Sequence, residues 1–373
     1  MKKIGLLTIN DDMNLGNRLQ NYASYVILSK YHDTKNIVRY YSCEKNIQNN
    51  ILKIFLKRAY IYAKFITAKL LPGLSPEKRY LFEREMNFLR FNNNIRNGER
   101  IDKNTNYEKL EKKYDYFVVG SDQIWNPNFF KYGLYINMLG FVKDSHKKMS
   151  MSSSISCAEL TQEQKDVFNK YLPSFSKISC REQQGADLIK EVTGLDCTSL
   201  IDPTLMLEPD EWKQVMKKPK CLSAKKDYIL IYFLGEITKE YETKINNTAK
   251  KYNCEIINIF DKSSKYYSCG PSEFLYLILN SRYVLTDSFH GTVFSYIFDK
   301  PFRIFSRKDN VISMNTRFTN IIDKLGLDDS VIVSDDVEYI DFKDTVYDKT
   351  KLKNEQIKFK NYLDDCFLDN NER

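Results

Sequence analysis

The sequence predicts an α/β protein of two Rossmann-like, parallel-sheet domains, and three observations carry that expectation. The chain has 373 residues, more than the roughly 250–300 at which a single core stops growing. Short apolar runs alternate with helical patterns in both halves, the β-α-β-α order that builds parallel sheets. A Lys- and Pro-containing run, Lys217-Lys218-Pro219-Lys220, separates the halves. An N-terminal domain is therefore expected over 1–215, with a basic helical insertion over about 48–92, and a C-terminal domain over 216–345. A last helix within 346–373 is expected to return to the first domain. The active site is expected in the cleft between the domains, where such frames place it.

Composition narrows the function classes. Hydrophobic residues make up 42% of the chain, ample for a sizeable core. The net charge of +8 comes with 49 acidic residues interspersed among 57 basic ones. This excludes a polybasic nucleic-acid binder and suits an anionic ligand or an anionic membrane surface. The eight cysteines are scattered, with no C-x-x-C and no zinc spacing, as in reduced thiols, and no metal site is indicated. Apolar runs stay short of a signal peptide or a membrane span, so a cytoplasmic protein is expected, peripheral at the inner face of the membrane at most.

In chain order, the strand Ile4–Ile9 runs into a polar loop and a helix from Asn17 to about Lys30, with Leu19, Tyr22, Ala23, Val26 and Ile27 at helical spacing. Asn17, Arg18 and Gln20 fall in its first turn. The dipole disfavours a cation there, so Arg18 reads as facing an anion or carboxylate, or else as a solvated arginine. The loop is not G-x-G-x-x-G, and no dinucleotide is indicated. Ile51–Leu71 carries Lys53, Lys57, Arg58, Lys64 and Lys69 and no acid, which suits a helix lying on an anionic bilayer or one packed on its own domain or on a partner subunit. Ser75-Pro76 starts a further helix, to about Phe91. The strand Asp115–Val119 leads into Gly120-Ser121-Asp122-Gln123-Ile124-Trp125, whose amides and indole suit a sugar, though an Asx-turn with a packed Trp gives the same sequence. Strands are expected at Met149–Ile155 and Lys177–Cys180. Arg181 then opens a helix that stops at Gly194, at a point where an anion sits well, although a salt bridge to Asp187 or Glu182 accounts for it too. The second half holds strands at Tyr228–Gly235, Glu255–Phe260 and Pro301–Phe305, and helices near Lys239–Tyr252, Ser272–Asn280 and Lys351–Leu368.

The segment Ser281–Ser295 is the focus. A strand over Tyr283–Leu285 ends in a tight polar turn, and a helix begins near Gly291. Strand ends and helix amino ends converge at such junctions and favour anions. His290, one of three histidines, sits in the turn. A capping turn with a packed histidine explains the same residues.

Taken together, Asn17–Ala23, Gly120–Asn126, Ser179-Cys180-Arg181-Glu182, Asp202-Pro203-Thr204-Leu205 and Thr286–Phe294 with Lys300-Pro301-Phe302 resemble the polysaccharide pyruvyl transferase family, in order and spacing, to about residue 327. The resemblance implies a two-domain fold similar to GT-B glycosyltransferases. It implies transfer of a pyruvyl group from phosphoenolpyruvate to a sugar of a surface polysaccharide or its lipid-linked precursor, forming a ketal. Phosphoenolpyruvate is then a co-substrate, and no cofactor or metal is required. The acceptor implied is a sugar, expected on a polyprenyl-diphosphate-linked oligosaccharide in view of the basic 51–71 segment. On this resemblance His290 is the acid/base. Arg181, Ser288, Phe289, Gly291, Thr292 and Arg317 face the donor anion, and Asn17, Arg18, Gln20, Asp122, Gln123 and Trp125 face the acceptor. Many members carry Arg-Leu-His-Gly where this chain has Ser288-Phe289-His290-Gly291. Either Arg18, Arg303, Arg307 or Arg317 supplies the missing guanidinium, or the donor differs. A nucleotide-sugar glycosyltransferase and a non-catalytic glycan-binding protein are the alternatives, and the oligomeric state is left open.

Overall fold

The computed structural model describes residues 1–11, 13–39, 51–70, 73–101, 105–127, 134–157, 159–222, 227–307, 313–334, 336–342 and 347–368, with side chains described except at 51–57, 68–69, 134 and 313–317. The chain forms two compact units: 1–49, 94–207 and 350–373 make the first, and 50–93 with 208–349 the second. The principal strands are β1 (Lys3–Leu7), β2 (Asp33–Arg39), β3 (Asn97–Ile101), β4 (Tyr116–Val119), β5 (Lys148–Ser150), β6 (Ser179–Cys180), β7 (Thr198–Ser199), β8 (Tyr228–Tyr232), β9 (Glu255–Asn258), β10 (Tyr283–Thr286) and β11 (Phe302–Ile304). The principal helices are α1 (Leu15–Ser29), α2 (Ile51–Leu70), α3 (Pro76–Asn92), α4 (Gln162–Tyr171), α5 (Gln183–Thr193), α6 (Lys239–Tyr252), α7 (Pro271–Asn280), α8 (Phe289–Ile297), α9 (Ser313–Leu325) and α10 (Thr350–Phe367).

The first unit is a parallel sheet in the order β3-β2-β1-β4-β5. Its central strands are continuous apolar runs (Ile4, Leu6, Leu7; Phe117, Val118, Val119) because parallel sheets are covered on both faces. The strand expected over Met149–Ile155 is regular only to Ser150. Beyond it the serine hydroxyls compete for backbone groups: Ser152 Oγ donates to Ile201 O at 2.7 Å and Ser153 Oγ to Val119 O at 3.0 Å. α5 stops at Gly194, whose φ of +72° is the left-handed cap that a glycine adopts without strain. α10 packs in this unit, with Tyr362 Oη donating to Ser150 O (2.7 Å) and Tyr31 Oη donating to Asp364 Oδ1 (2.7 Å).

The second unit holds a parallel sheet in the order β11-β10-β8-β9. β8 is buried along its whole length, and so is α8, a helix apolar on nearly every side. The insertion belongs here rather than with the first unit, which its place in the sequence suggests. The reason lies in α3: Arg84 donates to the carbonyls of Tyr267 (3.1 Å) and Cys269 (2.8 Å), and Asn87 to that of Ser268 (3.0 Å). The unit begins at Glu208, ahead of the Lys-Pro run, because Trp212 packs edge-on against Phe294 with centroids 4.9 Å apart. In each sheet the strand order reverses beside the first strand laid down, between β1 and β4 and between β8 and β10. Those two crevices, at strand carboxyl ends, are where open α/β sheets take ligands.

Candidate functional site

The β10–α8 turn occupies the crevice of the second sheet. Thr286 Oγ1 donates to Tyr232 O at 2.7 Å and accepts from Ser288 N at 3.0 Å, tying β10 to the end of β8. The Asp287 carboxylate accepts the N–H groups of Leu234 and Gly235, both at 2.7 Å, and Arg307 Nε stands 3.3 Å from its Oδ2. This carboxylate shapes the loop after β8 and does not cap α8. Ser288 is the N-cap residue, yet its side chain does not cap the helix, and the phenol of Tyr232 nearby has its pKa pushed up to about 12 by burial. His290 is the second residue of α8, buried, with its ring edge-on to Phe289 at 5.3 Å. Helix geometry gives the N–H groups of residues 289 to 291 no acceptor within the helix, and the dipole adds partial positive charge beside them.

Gly291 is set by packing. A Cβ there would lie 2.2 Å from Thr286 Oγ1 and 2.8 Å from Tyr232 Cδ1, so only glycine lets α8 sit this close to both strands. Thr292, expected at the anion, has its N–H and its hydroxyl both donating to Ser288 O, at 3.0 and 3.2 Å. Ser288 is buried, and Phe289 brings only an apolar ring.

A guanidinium reaches this region from an element that sequence reasoning missed. Arg84 of α3 is buried, with its Cζ over the rings of Phe88, Phe260 and Tyr267 at 5.0–5.3 Å. The Phe260 ring stacks in turn on Tyr232 at 5.5 Å. Its only hydrogen-bond acceptors among the described residues are the two carbonyls, and no carboxylate pairs with it there. Burial pulls its pKa down, as the desolvation of an unpaired cation must. The sequence signal was present: Arg84 stands one and two turns before Phe88 and Phe91, on the helix's inward stripe. Arg303 is directed elsewhere, donating to Phe302 O at 2.8 Å with its Cζ over Phe342, the ring that stacks on Tyr283 at the start of β10. The side chain of Arg317 lies outside the described ones.

In the first unit the structure brings together Asn17, Arg18, Asp122 and Arg181. Asn17 Nδ2 donates to Asp122 Oδ2 at 3.1 Å, and Arg18 Nη2 donates to Asn17 Oδ1 at 3.0 Å. Arg181 Nη1 donates to Asp202 Oδ2 at 3.0 Å and stands 3.7 Å from Asp122 Oδ1, while its Nε donates to Glu182 Oε1 at 3.2 Å. Burial lowers the Arg181 pKa, but the three carboxylates outweigh it and hold the guanidinium firmly charged. Arg181 thus meets three carboxylates, with which an anion expected at this guanidinium would compete. Asp122 keeps a partly exposed carboxylate at the carboxyl end of β4, and Gln123 beside it is half-buried.

Two expected sugar contacts turn inward. Trp125 is 0% exposed, edge-on to Phe168 and Phe175, with its N–H donating to Asn137 O at 3.0 Å, so no face of the indole is open to a ring. Gln20 is buried between Thr8 and Ser24, accepting from the first and donating to the second. Among the described residues no group of three or more His, Cys, Asp or Glu is placed to hold a metal.

A sequence model of the polysaccharide pyruvyl transferase family matches residues 14–310, most of the chain. No curated relative matches the sequence. Solved structures of similar fold include the UDP-GlcNAc 2-epimerase of Methanocaldococcus jannaschii, 11% identical with a TM-score of 0.47 over 100% of this chain and 94% of that one. The enzyme of the same name from Neisseria meningitidis is 11% identical with a TM-score of 0.42, covering 87% of this chain and 92% of its own. That from Rickettsia bellii is 11% identical with a TM-score of 0.43, covering 83% and 80%.

Proposed function

This chain belongs to the polysaccharide pyruvyl transferase family, and on that premise we propose that it moves a pyruvyl group from phosphoenolpyruvate to two hydroxyls of a glycan sugar, closing a ketal. The observation that carries this reading is the position of His290. It is the second residue of α8, in the crevice where the order of the second sheet reverses, and it lies inside the matched residues.

The reaction asks for a proton on the donor's methylene carbon. One sugar hydroxyl captures the oxocarbenium-like centre and loses its proton. A second hydroxyl displaces phosphate and loses its own. One C–H and two C–O bonds form while the C=C π bond, two O–H bonds and the C–O bond to phosphate break; one hydroxyl proton balances that given to the methylene carbon, the other leaves on phosphate, and no electron is transferred. An imidazole titrates near neutrality, so His290 suits delivery and return of these protons. The donor's phosphate and carboxylate need fixed positive charge. The amino end of α8, Arg307 and Arg84 supply it in the second unit, and Arg84 takes the part of the guanidinium that position 288 lacks. The carboxylate excess around Arg181 suits hydroxyl groups instead. Asp122, with Asn17 and Gln123 at its sides, is assigned to the acceptor, and Arg181 is assigned the positioning of Asp122.

The reading is tested by incubating the protein with phosphoenolpyruvate and sugar acceptors while following phosphate release and the acceptor's gain of a pyruvyl ketal by mass. His290→Asn should lower the rate by roughly 10²–10⁴-fold with an unchanged circular dichroism spectrum. An undiminished rate in that variant would remove His290 from the chemistry.

A further inference from the structure

The insertion presents a surface that neither the reaction nor the packing of the second unit uses. α2 rests on α3 along one narrow face, where Ile61, Lys64 and Phe65 are half-buried. Lys64 Nζ pairs with Glu85 at 3.4 Å and lies over the ring of Phe82, and Arg90 of α3 lies over the ring of Phe65 at 5.3 Å. The opposite face carries Tyr62, Ile66 and Leu70, one turn apart from each other, with 49, 52 and 73% of their surfaces exposed. Ala59 and Ala63 continue the same stripe, and Arg58, exposed, stands beside it. An isolated exposed leucine needs no explanation, but a row of large apolar side chains down one face of a helix marks a contact surface.

Charge identifies the occupant. The twenty residues of α2 include Lys53, Lys57, Arg58, Lys64 and Lys69 and no acidic residue. Arg58 flanks the exposed stripe while Lys64 is engaged on the α3 side, so two copies meeting through this face would set cation against cation with no acid on α2 to pair them. A bilayer rich in anionic headgroups meets both needs: apolar side chains enter the headgroup boundary and the basic ones stay at the phosphates. Among the described residues no helix is long and apolar enough to cross a membrane, so α2 would lie along the surface. We propose that α2 is a docking surface for an anionic lipid bilayer, seating Tyr62, Ile66 and Leu70 in the headgroup layer. The proposal goes beyond the reaction assigned above and does not depend on it.

The test is co-sedimentation of the full chain with vesicles of phosphatidylcholine alone and of phosphatidylcholine mixed with phosphatidylglycerol. The protein should sediment with the mixed vesicles and stay in solution with the neutral ones. Raising the salt towards 1 M, where the screening length shrinks to about 3 Å, should release it. The double variant Ile66→Glu/Leu70→Glu should lower partition by roughly ten-fold or more. It should keep its circular dichroism spectrum and its pyruvyl transfer to a water-soluble acceptor. Wild-type protein that ignores the anionic vesicles, or a double variant that binds them equally well, overturns the proposal. So does sedimentation velocity showing a dimer that the double variant converts to a monomer, since a second copy would then cover this face.

Discussion

Arg84 carries a full charge into the interior of the second unit, and its surroundings decide what that charge is for. Two carbonyls and three aromatic faces meet the guanidinium, while no carboxylate does among the described residues. A structural arginine would serve as well with a counter-ion beside it. A buried cation without one is costly unless something supplies the anion. Arg84→Lys keeps the charge but loses the planar fork, so the half-saturating phosphoenolpyruvate concentration should rise by about ten-fold or more while that of the acceptor stays put. Steady-state kinetics separates the two, and an unchanged donor constant would reduce Arg84 to a staple between α3 and the 267–269 segment. The position was readable as an inward one from its spacing to Phe88 and Phe91. What the sequence does not carry is the set of carbonyls it meets, which belong to a loop far along the chain. Trp125 shows the same limit in reverse. Its neighbours Ser121, Asp122 and Gln123 resemble a sugar site, but Phe168 and Phe175, brought to its edges by folding, make it core.

The elements near the site follow from close approach as much as from propensity. Replacing glycine by alanine inside a helix ordinarily stabilises it by about 1 kcal/mol. At Gly291 the new Cβ would fall 2.2 Å from Thr286 Oγ1, a hydroxyl held by bonds to Tyr232 and Ser288 that cannot rotate away cheaply. The clash should win, and Gly291→Ala should lose about 1–3 kcal/mol in urea unfolding. A variant as stable as the parent would mean that α8 can retreat from the sheet. Most helices and the strands β1, β4, β8 and β10 were legible because their apolar periods are unbroken. β2 and β3 were not. Asp33-Thr34-Lys35-Asn36 carries no apolar run, and Asn36, buried in the sheet, donates its Nδ2 to Asn10 Oδ1 at 3.0 Å and Asn97 Oδ1 at 3.3 Å, partners that only folding brings together. The basic character of α2 was plain in the sequence, whereas its attachment to the second unit depends on contacts of α3.

At the scale of the molecule, each unit repeats one plan: a parallel sheet, a reversal of strand order, and a polar crevice at the strand ends. The two crevices differ in charge. In the first unit three carboxylates surround Arg181. In the second, Arg307 stands on Asp287 at the amino end of α8, and Arg84 has no carboxylate partner among the described residues. An anionic donor should therefore favour the second, and a polyhydroxyl acceptor the first. The order of motifs along the chain disclosed the family and the position of His290, but not this division of charge. It rests on Glu182, Asp202 and Asp122 converging on one guanidinium. The most direct measurement is the thermal unfolding of the wild-type protein titrated with phosphoenolpyruvate, with UDP-sugars and inorganic phosphate alongside. A ligand that binds only the folded state raises the midpoint with concentration. Phosphoenolpyruvate should raise it, beyond what phosphate alone achieves. Stabilisation by a UDP-sugar with no response to phosphoenolpyruvate would contradict the assignment of the donor.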